Sequence, residues 1–130
     1  MAYYVSRTLA LPFDEAVLRT KAALAEEGFG VISEIDIRQT LKTKIGVAFR
    51  PYLILGACNP GLAHEALMLE DKVGLMLPCN VIVQEAADGR VEVAAIDPAA
   101  SMQAIDNTAL TAQAAIVGRK LQAALDRLEG

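Results

Sequence analysis

Along the chain, short runs that alternate or are continuously apolar are interleaved with stretches in which apolar positions recur every three or four residues. Tyr3 to Leu9 alternates and is rich in strand formers, which predicts a first strand. Pro12 then opens a helix with Asp14 and Glu15 in its first turn and Phe13, Val17, Leu18 and Leu24 on its buried face. Gly28 suits the left-handed residue that ends it. Val31 to Ile35 reads as a second strand. Asp36 with Gln39 has the spacing of a capping box, and Ile37, Leu41 and Ile45 form one helical stripe that stops at Gly46.

The run Tyr52 to Cys58 reads as a buried strand. Asn59-Pro60 starts a helix, with Asn at the N-cap and Pro at the first helical position, and Ala63, Ala66, Leu67 and Leu69 as its face. Val73 to Leu77 and Asn80 to Glu85 read as two further strands broken by Pro78. Asp88-Gly89 is a hairpin signal, so Val91 to Ile96 should pair back antiparallel, and Asp97-Pro98 should end the sheet. Ala99 to Ile105 fits a helical turn. From Thr108 to Leu128 the stripe Leu110, Ala114, Val117, Leu121, Ala124 and Leu128 predicts a long amphipathic helix. Together these elements predict a two-layer α+β domain over residues 1–130. Its sheet should be mixed or largely antiparallel, of five or six strands, with helices packed on one face.

Composition narrows the function classes. Hydrophobic residues make up 54%, enough for a core, but there is no Trp and only six Phe and Tyr together. Stacking platforms for bases need exposed aromatics, and phosphate contacts need a basic footprint; a net charge of −4 supplies neither, so nucleic acid is not an expected partner. The charge is uneven: residues 1–58 carry seven basic and six acidic side chains, residues 59–130 five and ten. The basic excess lies at Arg38, Lys42, Lys44 and Arg50. No basic-then-apolar leader and no apolar run near ~18 residues is present, so a cytoplasmic protein without a membrane partner is expected, its two cysteines reduced.

The string Tyr52-Leu53-Ile54-Leu55-Gly56-Ala57-Cys58-Asn59-Pro60 and the string Gly74-Leu75-Met76-Leu77-Pro78-Cys79-Asn80-Val81-Ile82-Val83 carry a resemblance, with Asp36-Ile37, Lys44 and Gly46 before them. Together they resemble the "domain of unknown function 302" family, and the resemblance runs from the first strand to the last helix. It implies a compact α+β fold found in bacterial and archaeal proteins, and a homodimer. It implies no activity and assigns no cofactor.

Candidate chemistry centres on Cys58, which ends an apolar strand just before a helix N-terminus. Unpaired N–H groups and the dipole there favour a thiolate. The bland alternative is a small buried hydrophobe. Cys79, 21 residues on, would be its neighbour if the two strand ends meet, giving a dithiol that could exchange with a disulfide; two separate core cysteines are the alternative. His64 is the single histidine and a weak third metal or haem ligand, more simply a solvent-facing side chain. Arg38, Lys42, Lys44 and Arg50 suit an anion, or are a solvated basic face. Asp36 is explained as a cap. Phosphate-loop, dinucleotide and nucleophile-elbow signatures are absent.

Three functions are consistent with these residues. One is a homodimeric module binding a small anionic or sulfur-containing ligand near Asp36, Arg38, Lys44, Cys58, Asn59, Cys79 and Asn80. Another is a thiol-dependent redox enzyme or sulfur carrier using Cys58 and Cys79. The third is a protein-interaction module without a ligand.

Overall fold

A computed structural model describes residues 2–130. The elements run β1 (Tyr4–Leu9), α1 (Phe13–Glu26), β2 (Gly30–Asp36), α2 (Ile37–Ile45), β3 (Tyr52–Cys58), α3 (Pro60–Leu69), a 3-10 segment (Asp71–Met76), β4 (Cys79–Glu85), β5 (Val91–Ile96), α4 (Pro98–Ser101) and α5 (Thr108–Asp126). The five strands form one sheet in the order β1-β5-β4-β3-β2, every pair antiparallel. This is the expected two-layer α+β architecture.

Side chains alternate across a strand, and only one face of this sheet is sealed. Leu55 and Ala57 of β3, Val81 and Val83 of β4, and Val91, Val93 and Ala95 of β5 are buried in one cluster with Ala16, Val17 and Leu24 of α1 and Leu121, Ala124 and Leu125 of α5. The opposite face carries Tyr4, Tyr52, Ile54, Ile82, Gln84 and Glu92, none of them fully buried. There Arg50 Nε donates to Gln84 Oε1 at 2.9 Å, and Gln84 Nε2 donates to Glu92 Oε1 at 2.9 Å. Arg50 also stacks over Phe49, 4.4 Å from its ring centre.

The local signals act as their chemistry requires. Phe29 N donates to Leu24 O and Gly28 N to Ala25 O, with Gly28 at φ 85°, so α1 ends in a Schellman motif whose flanking Leu24 and Phe29 both enter the core. Asp36 Oδ1 accepts from Gln39 N at 2.9 Å, and α2 ends at Gly46 with φ 66°. Asn59 Oδ1 accepts from Leu62 N at 3.2 Å and starts α3.

Three expectations need correction. The segment read as a strand from Val73 to Leu77 is a 3-10 helix, Asp71–Met76. Val73 and Met76 are packed, an i, i+3 pair that a 3-10 helix stacks on one side, with Leu77 packed just beyond its end, while Leu75 points to solvent. Leu18 is exposed, because α1 turns its Ala16, Val17, Thr20 and Leu24 side inward. On α3 only Ala66 is buried; Leu67 and Leu69 are exposed, so this helix lies at the rim of the core.

α2 departs from the expected pattern in another way. Its stripe is present, yet none of its nine residues is buried, and Ile45 is 66% exposed. Its cations Arg38, Lys42 and Lys44 make no ion pair among the described residues.

Candidate functional site

β3 and β4 pair so that Ala57 stands opposite Cys79. This register brings the end of β3, with Cys58 and the Asn59 cap, beside the start of β4. Gly56 makes the approach possible. A Cβ there would lie 2.7 Å from Pro78 Cγ and overlap Ser33 Oγ of β2, so a side chain would force the two connections apart.

A cavity of about 310 Å³ opens at this end of the sheet. Its floor is Ala57, Cys58 and Cys79. Leu62, Ala63, Ala66 and Leu67 of α3 form one wall, and Gln113, Ala114 and Val117 of α5 another. Phe29, Ile32, Gly74, Leu77, Pro78, Pro98 and Met102 also border it. Ile32 lies in β2 where the register shifts between Val31 and Ser33, and such a bulge re-aims a side chain, here into the cavity's lining. The volume is at the lower end of small-molecule sites.

No charged residue lines the cavity. Its polar groups are the two thiols, Asn59 and Gln113. Cys58 is half-buried and Cys79 buried. Burial, with Cys58 nearby as a smaller cause, pushes the Cys79 thiol up from 9.0 to about 11. Cys79 is therefore a protonated thiol at neutral pH.

The remaining candidates lie elsewhere. Asn80 follows Cys79 and so points to the opposite, open face of the sheet, in a shallow depression with Tyr52 and Ile82. Asp36 and Arg38 line a separate concavity with Pro12, Phe13 and Tyr52. Lys42 and Lys44 are exposed on α2, and Arg50 is held by Gln84. His64 is exposed on α3, and no three His, Cys, Asp or Glu side chains form a metal-binding group among the described residues.

The motif reading missed Gln113, Met102 and Phe29. Gln113 alone left a signal. It falls three residues after Leu110 and one before Ala114, the single polar side chain on the buried stripe of α5.

A profile described as "Domain of unknown function DUF302" matches residues 5–128. The chain belongs to the DUF302 family. A crystal structure of an uncharacterised conserved DUF302 protein from Bacillus stearothermophilus is similar at a TM-score of 0.91 and 29% identity, over 98% of both chains. No curated protein matches it. Nearly all of this DUF302 domain, the cavity-lining segments included, thus lies within the matched region. No helix among its described residues is long and apolar enough to cross a membrane.

Proposed function

We propose that this DUF302 domain is a homodimeric binding module that takes a small neutral molecule, mostly apolar or sulfur-containing, in the cavity beside Cys58 and Cys79. One observation carries the ligand reading: the cavity joins both thiols to an uncharged, predominantly apolar wall. An anion placed there would lose its hydration with no counter-charge in reach, a penalty of several kcal/mol. The cations that could answer it stand on α2 and at Arg50, outside the lining. Of the two ligand classes that the sequence admits, the sulfur-containing one fits this cavity and the anionic one does not.

Neutral fragments of one or two rings, at about ten times their Kd, are expected to raise the melting temperature by a few degrees. Ala63→Leu, which fills the cavity from the rim helix, is expected to abolish the shift. Fragments that stabilise both proteins equally, or none that binds the wild type, would sink the ligand reading.

The dimer is supported by α2. A helix of nine residues is marginal in water by itself, and here its own chain covers the stripe only in part: Ile37 and Leu41 are half-buried and Ile45 is exposed. A second copy offers apolar cover and, with ten acids to five bases in residues 59–130, charge opposite to Arg38, Lys42 and Lys44. Light scattering at tens of micromolar should give twice the chain mass, and Ile45→Lys should give a folded monomer. A monomeric wild type at that concentration rules the dimer out.

Thiol chemistry is the second reading, and the shared cavity floor favours it. Against it stands the protonated state of Cys79, since a thiol attacks only as thiolate. Cys58 is then the single thiol placed to react.

A further inference from the structure

We infer that the cavity reads its ligand through one hydrogen bond, accepted by Oε1 of Gln113, and so selects a neutral apolar molecule carrying an N–H or O–H donor. This rests on the ligand-binding reading above and specifies the ligand's chemistry.

Gln113 is only 8% exposed, yet it lines the cavity. Its amide nitrogen is engaged: Nε2 donates to the Leu62 carbonyl at 2.7 Å and to Glu65 Oε2 at 3.5 Å. Both partners are acceptors, which fixes the orientation of the amide and leaves Oε1 as the free end. No donor among the described residues reaches Oε1. Nor is that oxygen sealed in, because every fully buried side-chain polar atom among the described residues has a partner. Open space beside so nearly buried a residue is the cavity that it lines.

The surroundings make this acceptor decisive. Near it on α3 and α5 stand Leu62, Ala63, Ala66, Ala114 and Val117, none of which offers a side-chain donor. A ligand donor satisfies the acceptor directly, whereas a purely apolar ligand strips it of hydration without replacement. Rejection of analogues that lack the hydrogen-bonding group is the stronger form of selectivity available to a small site.

The test uses indole and indene, bicyclic molecules of nearly the same shape, only the first with an N–H. Each is titrated into protein with 13C-labelled glutamine side chains. Indole is expected to bind about fivefold to tenfold tighter than indene, and the Gln113 Cδ resonance to shift with indole alone. Gln113→Met keeps the length of the side chain and removes the acceptor; it is expected to bind both about equally, its backbone amide spectrum showing that it remains folded. Equal binding of the two probes by the wild type, with Gln113 Cδ unmoved, overturns the hydrogen-bond assignment and leaves the cavity as an unselective apolar site. Failure of both probes to bind overturns the ligand reading and this assignment with it.

Discussion

Leu55→Ala is expected to remove about 3 kcal/mol of folding stability, roughly 10 °C in melting temperature for a chain of this size. Leu55 is fully buried in β3, with Val81 of β4 on one side and Glu34 of β2 on the other. Truncation leaves a void under α1 and α5 that neither neighbouring strand can fill, because both are held in register by backbone bonds. The control is Leu18→Ala on the outward side of α1, where a change within about 0.5 kcal/mol is expected. Urea midpoints for the two variants decide the matter. A Leu55→Ala midpoint no lower than that of Leu18→Ala would mean that the helices do not cover this face of the sheet.

That contrast also marks where sequence reading succeeds. Caps and turns were legible because their physics is local. Asp36 bonds Gln39 three residues on, Asn59 bonds Leu62, Gly28 needs only its own positive φ, and Asp88-Gly89 closes a hairpin between adjacent strands. Periodicity was less secure where the run was short. Val73 to Leu77 is apolar enough for a strand, and only its partners distinguish a strand from a helical turn. α2 shows a different limit. Its stripe announces that something covers it, and the sequence alone does not say whether the cover comes from the same chain.

The site was the least legible part, because it depends on register between strands. Cys58 and Cys79 line one cavity because Ala57 pairs with Cys79, a register that neither cysteine encodes locally. The same alternation sends Asn80 to the far face, so the matching Cys-Asn sequences do not make matching Cys-Asn sites. The basic residues looked close to the thiols in sequence, but α2 leaves the sheet at the other end of β2 from Gly30, the residue paired with Cys58. Gln113 lay hidden in a helix whose stripe was read for its apolar members alone.

The state of Cys79 has the second large consequence, which appears in alkaline solution. In the unfolded chain its thiol ionises from about pH 9.0, and in the fold only near 11. Between those values the unfolded state binds fewer protons than the folded one, so stability must fall as pH rises. Below pH 9 both states hold the proton and Cys79 contributes no pH dependence; above about 11 the loss is complete. Its size is about 2–3 kcal/mol. The quantity to compare, in which the contribution of every other group cancels, is wild type minus Cys79→Ala, from urea unfolding at steps between pH 8 and pH 11. The difference is expected to narrow by that amount, and Cys58→Ser should shrink the narrowing slightly, since Cys58 is the smaller cause of the shift. Parallel curves would mean that Cys79 meets solvent in the fold, and a solvated thiol on the cavity floor would restore the dithiol reading. A converging pair instead makes Cys79 a fixed neutral wall, against which Cys58 and a donor-bearing ligand are the groups left to interact.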